Sequence, residues 1–327
     1  MPTPFLIGAG SGLISAALFA SAATATALAG VLFYLAPLPI CLAGLGWGAM
    51  AGLISALTGT VIVGATLGPG TAAIFAIVIA APCALLTHLA LMSRPGAAPV
   101  GKAASALEWY PPGRLVAWGA LIAGALAAIL ALTLGYDQEA YRESIREILS
   151  HSALKELDRD GTLFTDENIA RLTNVLARTL PAAFAIMWLT VMLFNLWMAG
   201  LIVDASGRAL RPWPDLHGLE LPNGLVLLFA GALAASFLPG LLGLLATGLA
   251  GALLFAYVLQ GLAVVHVYSQ GMPLRALLLA AIYLGILLMG WVAVVLAILG
   301  LAEPLLGLRR RANPGAQSPP SSGSGPT

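Results

Sequence analysis

The chain has 327 residues, 60% of them hydrophobic and only 9% charged, with a formal net charge of +1. A soluble domain carries about 25% charged residues, so this composition belongs to a polytopic membrane protein, and the charge balance excludes a nucleic-acid partner held by excess basic charge. The two cysteines, Cys41 and Cys83, lie inside apolar runs and build neither a zinc site nor a disulfide framework.

Residues 1–93 contain no Asp, Glu, Lys or Arg. A span needs about 20 apolar residues, so this stretch reads as a four-span N-terminal bundle, with helices near 4–25, 28–45, 47–66 and 71–92. The N-terminus lacks the basic region of a signal peptide, and further apolar runs follow at once, so the first run reads as a retained helix. Pro37 and Pro39 interrupt the second span, and Gly68-Pro69-Gly70 separates the third from the fourth. Gly12-Leu13-Ile14-Ser15-Ala16 recurs as Gly52-Leu53-Ile54-Ser55-Ala56, which marks an internal repeat. Both copies lie on stripes of small residues at four-residue spacing, Gly8, Gly12, Ala16, Ala20 and Gly44, Gly48, Gly52, Ala56. Such stripes let helix backbones approach closely, inside the bundle or against a docked partner.

Residues 94–136 form a basic loop and a fifth span near 114–135. Trp109 and Tyr110 suit a headgroup interface, and Pro111 and Pro112 stop the loop from running helically into the span. Residues 137–179 carry nine acids and six bases. Tyr141, Ile145, Ile148 and Leu149, then Ile169, Leu172, Leu176 and Leu180, repeat at helical spacing and predict a hairpin of two amphipathic helices. Residues 180–308 hold the C-terminal spans, near 180–203, 222–238 and 241–268. Residues 272–308 are too long for one helix and read as a short hairpin bent near Gly290. Residues 309–327 are rich in Pro, Ser and Gly and read as a disordered tail. The fold class is therefore all-α, a transmembrane bundle of about eight to ten spans. Lys and Arg in the short loops put the 94–114 and 204–222 loops, Arg275 and the Arg309-Arg310-Arg311 triplet in the cytoplasm, with both termini. The acidic hairpin then lies outside the plasma (inner) membrane.

Few residues point to chemistry. Gly8-Ala9-Gly10-Ser11-Gly12 resembles the start of a dinucleotide fingerprint, but position 13 is Leu and the first acid is Glu108, so helix packing is the reading. Glu156, Asp158, Asp160 and Glu167 fall at positions 1, 3, 5 and 12 of a calcium-loop pattern with Gly161 at position 6; a capped helical hairpin explains the same residues. Asn195, Tyr257 and Gln260 are polar groups within spans and the candidates for a ligand cavity; interhelical hydrogen bonds are the alternative. No nucleophile–base–acid set, HExxH motif or Walker lysine is present, so neither an enzyme nor a cofactor is expected. The spans are nearly neutral, which disfavours a self-powered pump.

Several motifs look like the YybS-like family of predicted bacterial membrane proteins, a domain of unknown function. They are Tyr34-Leu35-Ala36-Pro37-Leu38-Pro39, Glu108-Trp109-Tyr110-Pro111-Pro112-Gly113-Arg114, Asn195-Leu196-Trp197, Arg211-Pro212-Trp213-Pro214-Asp215 and Phe255-Ala256-Tyr257-x-Leu259-Gln260-Gly261. More distantly, that family is similar to the S-components of energy-coupling-factor transporters. Those are six-helix solute-capture subunits whose first helix docks a coupling subunit through a small-residue stripe, which Ala16-x-x-x-Ala20 matches. The resemblance implies a solute-capturing transport subunit, with the lipid bilayer and an ATPase-coupling membrane subunit as partners. The alternative is a non-transporting scaffold of the cell envelope with Trp- and Pro-rich loops as its contact sites.

Overall fold

A computed structural model describes residues 3–24, 26–96, 107–151, 165–307 and 309. The described chain is almost wholly helical, an all-α polytopic bundle. The N-terminal helices are α1 (Thr3–Ala20), α2 (Ala27–Tyr34), α3 (Pro37–Trp47), α4 (Ala49–Leu67), α5 (Pro69–Phe75) and α6 (Ala81–Ala90). Thr26 caps α2 by accepting from the Ala29 amide. The second span is broken where Pro37 and Pro39 offer no amide hydrogens. Gly48 (φ 95°) and Gly68 (φ 90°) turn the chain at the ends of α3 and α4 in a left-handed conformation that favours glycine, and Pro69 then starts α5. Between α5 and α6 the helix widens into a π turn, Ala76–Ala80, just before Pro82.

The repeated motif lies where α1 packs along α4. A Cβ on Gly8 would sit 2.7 Å from the Ala51 carbonyl oxygen, and one on Gly12 would overlap the Ser55 carbonyl. Partners rise together in number, so the two helices run parallel and the two copies stand side by side. Ala16 is buried in the same core, while Ala20 is half-buried at the end of α1. On the second stripe Gly44 and Gly52 face each other and Thr87 of α6, Ala56 is buried, and Gly48 is the hinge. The Gly8–Gly12–Ala16 face is thus covered by α4, and α1 leaves Phe5, Leu6, Leu13 and Ile14 exposed.

A two-stranded ladder that the sequence does not announce, β1 (Ser93–Pro95) with β2 (Leu107–Trp109), follows α6. Arg94 and Glu108 close it with a bidentate ion pair at 2.8 and 3.0 Å. The later helices are α7 (Pro112–Leu134), α8 (Gln138–Ser150), α9 (Asp166–Ala205), α10 (Leu225–Ala235), α11 (Gly240–Tyr268), α12 (Arg275–Leu288) and α13 (Gly290–Leu306). The second amphipathic helix and the sixth span are one continuous rod, α9, rather than two elements, and Pro181 is accommodated inside it. The segment expected as the span 222–238 is helical only over the 11 residues of α10. It still runs the length of the bundle: Leu221 is held by Gln260 of α11, while Gly240, at the other end of α11, donates to Gln138. The 20 residues of α11 between those points cover about 30 Å.

The 272–308 segment breaks at Met289–Gly290, and α12 and α13 are bent by 117°. Among the described residues seven helices are long and apolar enough to cross a membrane, or eight if the bent pair counts as one. Eight is the lower end of the expected range and seven lies just below it, because α10 falls short of a span and the bent pair counts for one at most.

A second, smaller core closes the far end. Tyr141 and Ile145 of α8 pack on Ala131 of α7, Ala177 of α9 and Leu244 of α11. Asp137 caps α8 by accepting from the Ala140 amide.

Candidate functional site

The polar residues inside the spans are used to stitch helices together. Asn195 is 1% exposed; its amide donates to the Tyr34 carbonyl at 2.9 Å, at the α2–α3 break, and to Val191 at 2.8 Å. Its Oδ1 is unpartnered, and the residue borders a shallow apolar depression with Val31 and Leu35. Gln260 is fully buried; its Oε1 accepts from the Leu221 amide at 2.7 Å and its Nε2 donates to the Gly300 carbonyl at 2.8 Å. Tyr257 is buried against Phe229, with ring centroids 5.6 Å apart. The three candidate ligand residues therefore do not share a cavity. Of the candidate calcium ligands, Glu156, Asp158 and Asp160 lie outside the described residues, and Glu167 pairs with Arg171 at 2.7 Å on an exposed surface. Among the described residues no group of three or more His, Cys, Asp or Glu could hold a metal ion.

A large cavity of about 710 Å³ lies elsewhere, between α9 and α11. Its walls are apolar: Leu193, Phe194 and Trp197 on α9, and Phe255, Leu259 and Leu262 on α11. The hydroxyl of Thr190 on the same wall is turned back to the Ile186 carbonyl at 2.7 Å. The 209–219 segment roofs one end and brings Arg211, Trp213 and His217 to it. Volumes of roughly 300–1,000 Å³ with mostly hydrophobic linings are typical of small-molecule sites.

Three anchors hold the roof. The six-membered ring of Trp213 packs against Gly200 of α9, so close that any Cβ there would overlap the indole ring. Arg211 donates to the Ala90 carbonyl at 2.8 Å and to the Tyr110 carbonyl at 3.4 Å, and lies over the Trp109 ring. Arg309 donates to the carbonyls of His217 and Leu219 at 2.9 and 3.0 Å. It is itself held by Glu303 at 2.9 Å, with side chains only 13% and 6% exposed.

The electrostatics are confined to that end. His217 pairs with Asp215 at 2.8 Å, and this hydrogen bond holds the Asp215 carboxyl below its usual range. Burial lowers the Arg211 guanidinium from its ordinary value. His266 closes the row, with its ring 6.5 Å from His217 and 6.1 Å from Tyr283. A carbonyl only accepts, so the 2.9 Å contact of His266 Nδ1 with Leu262 places the proton on Nδ1. No nucleophile is set beside a base here. The arrangement can hold a molecule in a half-open groove and contact a polar end of it.

The Trp197, Arg211–Asp215 and Phe255–Gly261 motifs, far apart in the chain, meet around this cavity, and the Trp109–Tyr110 motif supports its roof. Of the polar residues on the two wall helices only Thr190, Asp204 and His266 line it; the rest of those walls is apolar, and Arg211 and His217 come from a loop. Gly200 is the local signal: a glycine on α9 that a loop tryptophan needs in order to close.

A family model described as "Predicted membrane protein (DUF2232)" matches residues 13–303. No curated protein and no solved structure matches the chain.

Proposed function

The chain belongs to the DUF2232 family of predicted membrane proteins, and from that premise we propose that it is a membrane subunit that captures a small, largely apolar solute between α9 and α11. The observation that carries this is the roofed 710 Å³ cavity with apolar walls and polar groups at one end. The subunit performs no chemistry of its own. Its resemblance to YybS-like proteins, and more distantly to S-components, supports a place in transport. The spans carry few ionisable groups, so movement of the solute needs an outside energy source, for which an ATPase-coupling membrane subunit is the expected partner. With Gly8, Gly12 and Ala16 covered by α4, that partner meets another surface.

Arg94, Arg208, Arg211 and Arg309 gather at the roofed end, and the acidic α8 sits at the other. By the positive-inside rule the roof faces the cytoplasm of a bacterial inner membrane and α8 faces outward. Labelling of Ser150→Cys, but not of Ser206→Cys, by an impermeant reagent added to whole cells is the expected result.

The test of capture is mass spectrometry of small molecules retained by the solubilised protein. Leu259→Trp, which fills the cavity, should strip a species that the wild type keeps. Identical retained sets in both proteins would sink the reading, and retention of protein partners alone would favour a scaffold.

A further inference from the structure

The cavity is polar at one end only. From Phe255 to His266 its α11 wall runs about 16 Å, apolar until the histidine. The α9 wall runs beside it and ends at Asp204, whose side chain is exposed. A compact polar solute leaves most of that length unmatched. A molecule with one polar end and one long apolar end matches all of it.

The sign of the polar end follows from Arg211. Its guanidinium is half-buried, and its Nε has no hydrogen-bond partner. Among the described residues no carboxylate lies within ion-pair distance of it. The nearby acids are otherwise placed: Asp215 is held by His217 and Glu303 by Arg309, while Asp204, which lines the cavity at the end of α9, is exposed to solvent and makes no ion pair with Arg211. A half-buried cation satisfied only by two backbone carbonyls and an aromatic face lacks a counter-charge. Arginine's planar fork suits a phosphate oxygen.

We infer that the groove takes a membrane phospholipid with an anionic headgroup, its acyl chain between α9 and α11 and its phosphate-bearing head at Arg211. This rests on the capture reading above and names the class of molecule captured.

The test is native mass spectrometry of the delipidated full-length protein in detergent, offered equal amounts of dioleoyl-phosphatidylglycerol and dioleoyl-phosphatidylcholine. The wild type should retain the anionic lipid over the zwitterionic one by about fivefold, the effect of one basic residue near an anionic lipid. Arg211→Gln should bring the ratio close to one, and Arg211→Lys should keep it. Both variants lose the guanidinium whose Nη1 contacts Ala90 and Tyr110, and Lys alone keeps the positive charge. Leu259→Trp should reduce retention of both lipids. A ratio near one in the wild type, or a ratio indifferent to Arg211→Gln, overturns the anionic headgroup. If Leu259→Trp still abolishes binding in that case, the capture reading stands. Lipid retention untouched by Leu259→Trp overturns the lipid altogether, and the small-molecule comparison above then decides capture separately.

Discussion

The indole Nε1 of Trp188 donates to the carbonyl of Val78 at 2.9 Å, and Val78 is the residue four before Pro82. Proline has no amide hydrogen to return to that carbonyl, and a side chain from α9 supplies the donor. Gln260 does the same for Gly300, four residues before Pro304. Asn195 donates to the Tyr34 carbonyl at the α2–α3 break, where the amide four residues on, that of Leu38, turns to Leu35 instead. Within a bilayer an unpaired backbone group has no water to turn to, so these side chains complete helices that prolines leave open.

Trp188→Phe should destabilise the protein by on the order of 1–2 kcal/mol, the cost of leaving a buried acceptor short of its partner. Pro82→Ala restores an amide hydrogen at that turn. In the Trp188→Phe background it should recover part of the loss, as read from thermal unfolding in detergent. Equal losses in the presence and absence of Pro82 would mean that only packing of the indole matters.

Gln260→Leu strands both the Leu221 amide and the Gly300 carbonyl, and about 2–4 kcal/mol is expected for two such buried groups. Pro304→Ala should restore only the Gly300 side. Hydrogen exchange should therefore quieten on α13 in the double variant while the Leu221 amide stays fast.

Gly200→Val drives a side chain into the ring of Trp213. Overpacking of this kind costs about 1–3 kcal/mol. The more specific consequence is an opened roof, seen as increased quenching of Trp213 fluorescence by iodide in a variant whose other tryptophans are replaced. Quenching unchanged from that background would show that the indole does not seal the site.

Removing either member of the buried Glu303–Arg309 pair leaves a buried charge, and each of Glu303→Gln and Arg309→Gln should cost about 3–5 kcal/mol. The double variant should cost much less than their sum. Limited proteolysis of the 209–219 segment gives an independent measure, with cleavage accelerated in Arg309→Gln.

Glu108 is held below its ordinary carboxyl value first by the hydrogen bond from Arg94 and then by its charge. A depressed carboxyl stabilises the folded form above the ordinary value of 4.5, and that contribution disappears as pH falls through the lowered one. The ladder of β1 and β2 should therefore loosen only under acid, below pH 4.5. Amide exchange at Arg94 and Glu108 against pH is the measurement. Loosening already near neutral pH would assign the ladder's closure to another group.

Much of this architecture is legible in order of residues. The charge-free first 93 residues and the length of 272–308 locate the four N-terminal spans and the bend at Met289–Gly290, while the repeated five-residue motif marks faces for close packing without saying that α1 and α4 are the partners. What periodicity misses is long-range. Val78 and Trp188 are 110 positions apart, and Gln260 and Gly300 are 40 apart. A proline marks the open carbonyl but not the residue that will reach it. The polar residues of the spans thus look like ligands in the sequence, because their backbone partners are invisible there. The join of the amphipathic helix to the sixth span was hidden by Pro181, which marks a boundary in most helices but is tolerated within α9.

Arg309 fastens carbonyls 92 and 90 positions earlier. A chain made from its N-terminus inserts α9 and α11 long before that arginine exists. The roof is the last part of the site that synthesis can complete, and a nascent chain passes through a stage with the cavity walls assembled and the cavity uncovered. Truncation just before Arg309 should arrest the protein at that stage, with both walls in place and nothing to keep the cover shut.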